Sequence, residues 1–451
     1  MKLAIACLFA GVAAFGQPLT LTQAVESAWK NYPAVQVSQE QINAAAAAIR
    51  LARTAYLPRI DTTAQVNRAT RNNVFGMLLP QSVIPSMSGP VIGSNNFGTA
   101  WGSAIGALVT WEPFDFGLRR ANVAAAQASR AQQEAALSRT RYDIAVATAD
   151  AFLTVAAAQE TVRAAQAAVD RADTVAKSVH ALVNAELRPG ADASRADAEA
   201  AAARTGLAQA QQAVDVARAN LARFTGAEPT QITLALANLA GTPPESSGPT
   251  PDLTANPMVK EQNAAVEQAR AQLEALERSY FPRFALQGAA YARGTGAETN
   301  GEILGGVNGL APSVQNYAVG FTVTFPVMDK PGLEAREAQQ AAQMRAQTAR
   351  AQQIVADLRA QWNAALATLH GARQVAANVP AEVSAARAAA TQAAARYQSG
   401  LGVIDEVAEA QRLETQAEID DALARLGIWR ALLALATAAG DIQPFLAEVG
   451  Q

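Results

Sequence analysis

Thiols and imidazoles are almost absent from this chain. Its 451 residues include one cysteine, Cys7, and two histidines, His180 and His370. Cys7 falls inside an N-terminal apolar run and reads as part of its core. The chain downstream then has no disulfide to form and does not depend on the redox state of its surroundings. The histidines stand in separate helical stretches with no acid at ligand spacing, as satisfied or solvated helix residues would, so no metal centre is expected. No phosphate-binding loop, HExxH or CxxC is present. Ser27 and Lys30 form an SxxK, but the KTG that accompanies it in penicillin-binding enzymes is missing. These absences point away from an enzyme and call for no cofactor.

Charge of one sign is also lacking. The net charge is −3 and no block of basic residues occurs, which excludes nucleic acid as a partner. Beyond the N-terminus no uncharged apolar run reaches the length of a membrane-spanning helix. The best candidate, "LGIWRALLALATAAG" at 426–440, is short and carries Arg430. A membrane crossing would therefore have to be made of strands. Aromatic residues are only 6% of the chain, while half of it is hydrophobic and rich in alanine. Alanine buries little surface but is the best helix former, so long helices are expected before a bulky core.

The N-terminus, "MKLAIACLFAGVAAFGQ", has one Lys, an apolar run and the small-residue site Ala14-Phe15-Gly16. This pattern predicts a secretory signal over residues 1–16.

What remains is written twice. "RTAYLPRIDT" at 53–62 is echoed by "RSYFPRFALQ" at 278–287, with Pro58 and Pro282 in matching places. Asn31-Tyr32-Pro33 recurs as Ala255-Asn256-Pro257, "TWEPFDFG" around Pro113 is answered by "TFPVMDKPG" around Pro326, and each half closes on a glycine, Gly226 and Gly440. The Pro/Gly/Ser-rich stretch 241–256 reads as a linker. The halves are 17–240 and 257–440, followed by a tail at 441–451. The first contains a short helix, a helix over 33–56, strands near 59–70 and 100–113, a long helix over 117–186 and a helix over 191–225. The second repeats this with a helix over 257–280, strands near 283–293 and 316–326, a long helix over 332–398 and a helix over 403–439. Pro58 and Pro282 push the residues before them out of the helical region, so each marks a helix-to-strand junction. Pro113 and Pro326 mark the return to helix.

After those junctions the period falls from 3.6 to 2. Tyr317, Val319, Phe321, Val323 and Phe325 share one face, and Thr322 and Thr324 lie on the other. Trp101 and Trp111 sit on one face with Ile105, Ala107 and Val109 between them. Their ten-residue separation corresponds to ~33 Å along a strand. Tilted, that gives ~25 Å, the height of an apolar band between two aromatic girdles. An ordinary half-buried sheet would alternate too, but the signal segment and the paired tryptophans favour a membrane face. Trp101, Trp111, Tyr317 and Phe325 are the expected girdle, with Val319, Phe321 and Val323 toward lipid. Two strands per half make four, too few to close a barrel, and open edges do not survive in lipid. Several copies must pool their strands.

The long helices carry a seven-residue repeat. Val155, Val162, Val169, Ala176 and Val183 form one row, with Ala158, Ala165, Ala172 and Val179 beside it. Trp362, Leu369, Ala376 and Val383, with Ala365, Ala372, Val379 and Ala386, repeat it. Such a pattern predicts coiled-coil packing with close backbones. Pro380 has no counterpart in the first half and predicts a kink or break between about 374 and 383.

The signal, the doubled architecture, "TLTQAVESAWKNYPAVQ" near the start and the Tyr-x-Pro-Arg junction together resemble the TolC-type outer-membrane efflux proteins. The resemblance spans essentially the whole mature chain. It implies an α+β membrane protein in which a homotrimer pools four strands per chain into a 12-stranded β-barrel, continued by a long α-helical coiled-coil tunnel. An equatorial region would be built from about 18–32, 227–256 and 441–451. It also implies the outer membrane of a Gram-negative-type cell, with outer-membrane lipid, a periplasmic adaptor protein and an inner-membrane transporter as partners. The expected role is passive exit duct of a tripartite efflux or type I secretion system. A non-conducting scaffold acting as an interaction rod is the alternative. The family's constriction maps onto "YQSGLGVIDEVAEAQ": Tyr397, Gly400, then Glu406 and Glu409, with Asp405 beside them. The basic residue that often follows that glycine is replaced by Gly402, and no acid in "ELRPGADASRADAEA" clearly matches the first-half gate position. Arg188, Pro189 and Gly190, with Gly400, Leu401 and Gly402, form the two turns expected to meet the adaptor.

Overall fold

The computed structural model describes residues 18–70, 98–235, 239, 251–298 and 302–450. The signal segment and most of the linker lie outside the described residues. The chain divides into two compact units, one comprising Asn43–Gln132 and Ala264–Thr348 and the other Met1–Ile42, Gln133–Asn263 and Ala349–Gln451. Long helices run from one into the other.

The first of these units holds the strands β1 (Arg59–Thr70), β2 (Thr99–Phe114), β3 (Arg283–Thr295) and β4 (Val314–Thr324). They form one antiparallel sheet in chain order. Helix α2 (Pro33–Thr54) stops before Pro58, and α5 (Pro257–Arg278) stops before Pro282. Each helix unwinds through a turn that bonds Leu57 N–H to the Thr54 carbonyl at 2.9 Å, or Ser279 N–H to that of Leu276 at 3.0 Å. Pro113 lies inside β2, where the register with β3 shifts between Trp111 and Phe114. A proline removes a ladder donor, and a bulge tolerates that loss. The turn that follows carries positive φ at Phe116 and Gly117. Asp115 holds it, accepting from Arg119 N–H at 2.7 Å and pairing with the Arg119 guanidinium at 2.8 Å. That guanidinium also lies over the Tyr56 ring at 4.9 Å, which fastens the end of α2 to the start of α3 (Leu118–Asn184).

The register sorts the sheet into two faces. Val109, Gly288 and Val319 stand in one row, and Trp111, Leu286 and Phe321 in the next, with Ile60 paired to Val109. These side chains are exposed, Val319 by 78% and Phe321 by 62%. Thr322 and Thr324 fall on the opposite face with Gln287, Asp61, Thr63 and Gln65. A sheet with one exposed apolar face and one polar face is unstable in water and suited to a bilayer.

The other unit is helical. It contains α1 (Leu21–Asn31), the greater part of α3, α4 (Gly190–Thr225), most of α6 (Lys330–Gln398), α7 (Ile404–Ala439) and α8 (Gln443–Gly450). Thr20 and Gln23 form a reciprocal capping box at the start of α1. Every seam residue predicted on α3 and α6 is buried or half-buried. The core gathers Leu21 of α1, Phe152 and Leu153 of α3, Leu221 of α4, Leu369 of α6, Trp429 and Leu432 of α7 and Phe445 of α8. By length and composition α7 could cross a membrane, but its apolar residues are spent on this core. Leu19 pairs with Leu234 in a short parallel bridge, so the segments before α1, after α4 and after α7 converge.

The doubled Asn-x-Pro and Asn-Pro motifs receive a direct explanation. Asn31 Nδ2 donates to the Thr225 carbonyl at 2.7 Å, and Asn256 Nδ2 donates to that of Ala438 at 3.2 Å. Each therefore clasps the C-terminus of its own half's last helix. Gly226 (φ 72°) and Gly440 (φ 82°) turn out of those helices in the left-handed region. A Cβ on Gly440 would lie 2.6 Å from Asn256 Cα, so the clasp requires glycine there.

Of the kink or break expected at Pro380, the break does not occur. Helix α6 is unbroken through it, from Lys330 to Gln398. Pro380 itself is exposed while Val379 is buried. The carbonyl left without a partner one turn earlier can then be met by water, and seam packing on the other side keeps the helix continuous.

Candidate functional site

The helix pairs α3–α4 and α6–α7 are joined by two turns of matching construction. In the first, Glu186 takes φ +59° and Leu187 N–H donates to the Leu182 carbonyl at 2.9 Å. In the second, Gly400 takes φ +83° and Leu401 N–H donates to the Arg396 carbonyl at 2.9 Å. This six-to-one bond past a left-handed residue closes a helix C-terminus economically. Pro189 and Gly190 start α4 in the first turn, and Gly402 packs tightly in the second, 3.0 Å from Glu406 Oε2 for a Cβ placed there. Each turn leaves a leucine almost bare: Leu187 is 70% exposed and Leu401 74%. Leu187 was not among the residues predicted for the turns, and its equivalence to Leu401 shows only once both left-handed residues are located.

Behind the turns, Val179, Ala193, Ala196, Tyr397, Ile404 and Val407 form a small core drawn from all four helices. Tyr397 is buried in it. Its hydroxyl donates to Asp192 Oδ2 at 2.8 Å. The Arg188 guanidinium lies over its ring at 4.3 Å and donates to its carbonyl oxygen. Sequence reading did not single out Asp192, which lies two residues into α4, where a carboxylate also favours the helix N-terminus. Burial, then the hydrogen bond donated to Asp192 and that residue's charge, push the Tyr397 hydroxyl up to about 12, with Arg188 opposing. The folded protein thus holds this proton more tightly than the unfolded chain. Its contribution is complete below pH ~10 and is lost as pH rises toward 12. In a spectrophotometric titration one tyrosine lagging the exposed ones should vanish in Tyr397→Phe; an unchanged titration curve would contradict the geometry.

The three acids do not stand alone. Asp405 Oδ1 lies 3.2 Å from Arg195 Nε, Glu406 Oε2 lies 3.9 Å from the Arg396 guanidinium, and Glu409 Oε2 lies 3.5 Å from that of Arg412. Arg195 and Arg412 also reach Glu199 of α4. Of these three arginines only Arg396 lies close to Gly402 in sequence. The acids remain well exposed, so the pairs are weak.

His180 is a satisfied helix histidine. Its Nε2 lies 2.9 Å from Asp197 Oδ1, an acid brought over by the turn and invisible to local spacing. His370 faces Gln374 at 3.1 Å. Among the described residues no group of three His, Cys, Asp or Glu could hold a metal ion.

On the sheet, Trp101 lies near one end of β2 with Arg68 over its ring at 5.3 Å. Trp111 lies near the other, donating its Nε1–H to the Tyr56 carbonyl at 3.1 Å. Tyr317 is 87% exposed near the start of β4, and Phe325 follows its end. Sequence reading missed the densest aromatic group. Phe114, Phe116, Phe281, Phe284 and Phe321 form a chain of ring contacts, centroids 4.6–6.0 Å apart, at the helix side of the sheet. Only Phe321 belonged to an alternating pattern; the others flank the prolines.

A four-stranded sheet with an exposed apolar face, fed by long paired helices in two matching halves, defines a membrane channel protein of the helical-tunnel type. The family model for outer membrane efflux protein matches residues 24–227 and 252–441, and the chain belongs to that family. It is an outer-membrane protein with an efflux-channel role. Among solved structures, the Campylobacter jejuni CmeC outer membrane channel superposes with a TM-score of 0.75 at 14% identity, covering 98% of this chain and 93% of that one. The Vibrio cholerae outer membrane protein VceC gives 0.71 at 17% identity, covering 93% and 96%. The open state of the Neisseria gonorrhoeae MtrE outer membrane channel gives 0.68 at 19% identity, covering 94% and 89%. These likenesses establish the fold. No curated protein sequence matches the chain.

Proposed function

We propose that the chain works as a homotrimer, the passive exit duct of a tripartite efflux or type I secretion assembly, fed by an inner-membrane transporter through a periplasmic adaptor. The observation that carries this reading is the sheet, in which β1 and β4 each pair on one side only among the described residues. Four strands cannot enclose a channel, and unpaired edges are not tolerated in hydrocarbon. Three copies joined edge to edge would supply twelve strands and leave no edge. The apolar face, with Val319, Phe321 and Val323, then meets lipid, and the face with Thr322 and Thr324 lines the lumen. The bare Leu187 and Leu401, with Arg188, Pro189, Gly190, Gly400 and Gly402 around them, are the surface offered to the adaptor. Purified protein in planar bilayers tests this: discrete channels from a species three chains in mass support it. A monomer without conductance would remove it and favour the scaffold.

Glu406 and Glu409 lie three apart on α7 and share a face. In a trimer they would ring the axis with Asp405 nearby, a field that favours cations. Replacing both with Gln should shift the reversal potential across a KCl gradient toward zero and weaken block by multivalent cations. If neither moves, the arginines Arg195, Arg396 and Arg412 have already neutralised the ring.

A further inference from the structure

The apolar face is not smooth. Gly288 stands between Val109 and Val319 in the same row of the sheet, so the middle of that row has no side chain. The adjoining row is Trp111, Leu286 and Phe321. The result is a recess of about 480 Å³ lined by Pro58, Val109, Trp111, Leu286, Gly288 and Val319. That volume lies within the range of small-molecule sites. Trp111 is a fixed wall, because its indole N–H is already donated to the Tyr56 carbonyl at 3.1 Å. Only its apolar ring is left to offer.

We propose that this recess is a binding slot for one acyl chain of a membrane phospholipid. The proposal rests on the reading that this face meets the bilayer. A neighbouring copy would join along β1 or β4, so the middle of the face stays open to lipid. Hydrocarbon gains nothing by transfer from bilayer to an equally apolar wall. Retention must come instead from contact: an unfilled recess forfeits dispersion on every lining atom, and a flexible chain restores it. Trp111 sits near the helix-side end of its strand, at the level where indoles meet headgroups. A lipid of the leaflet on that side can place its headgroup beside Trp111 and lay its chain over Gly288.

The test uses the full chain extracted from membranes in mild detergent. Native mass spectrometry should show phospholipid adducts, reduced several-fold in Gly288→Leu. Both Gly288 and Gly320, the latter on the opposite face, have open space for a Cβ, and Gly320→Leu should leave the adducts in place. In vesicles of brominated phosphatidylcholine, the difference between the unaltered protein and Trp111→Phe isolates the quenching of this indole. Quenching together with adducts lost in Gly288→Leu alone is the expected result. Quenching without adducts, or with adducts indifferent to Gly288→Leu, overturns the slot and leaves the membrane face standing. Absence of quenching overturns the membrane face, and the slot with it.

Discussion

Tyr397→Phe should open the channel at rest. The hydroxyl it removes is buried and donates to Asp192, joining the end of α6 to the start of α4. A hydrogen bond to a charged acceptor contributes about 1.5–3 kcal/mol, and ~1.4 kcal/mol is tenfold in an equilibrium. Loss of the bond in every copy should raise the resting conductance of the reconstituted protein by about tenfold or more. Arg188→Ala, which removes the guanidinium stacked over the same ring, should add to the effect. In cells the pair of changes should raise the uptake of large hydrophilic antibiotics relative to the unaltered protein. Resting conductance unchanged in a properly assembled double variant would show that this contact holds the turns together without gating anything.

Phe321→Arg and Thr322→Arg should part company. The two residues are adjacent on β4 and fall on opposite faces of the sheet. An arginine on the lipid face costs from about 0–1 kcal/mol near the interface to about 2–4 kcal/mol at the midplane, repeated in every copy of an oligomer. It also breaks the ring contact of Phe321 with Phe284, 6.0 Å between centroids. Phe321→Arg should sharply reduce the heat-resistant protein recovered from outer membranes. Thr322→Arg should assemble normally and change single-channel conductance. Equal loss of assembly in both would count against this register.

The parts legible in the sequence are those governed by local rules. Proline at 58 and 282 ends a helix wherever it stands, alternation along β4 follows from the pleat, and the seven-residue rows on α3 and α6 follow from helix geometry. What escaped is what only tertiary contact defines. Asp192 differs little from Asp197 or Asp173 until the turn brings it to Tyr397. Arg195 and Arg412 look like ordinary helix charges until α4 and α7 pack side by side. At Pro380 the local rule allowed a break, and the surrounding packing kept the helix continuous instead.

The two asparagine clasps bear on how the chain is made. Asn31 meets Thr225 across 194 residues and Asn256 meets Ala438 across 182, and neither clasp borrows a residue from the other half. Loop closure over such distances is slow, and its cost grows only gently with length. A chain threaded from its N-terminus can fasten the first clasp once residue 226 has emerged, while the second half is still in transit. The second clasp then closes against a first half that already holds its ends together. Asn31→Ala should therefore slow maturation more than Asn256→Ala, even though Asn256 is fully buried and also accepts from Met258 N–H.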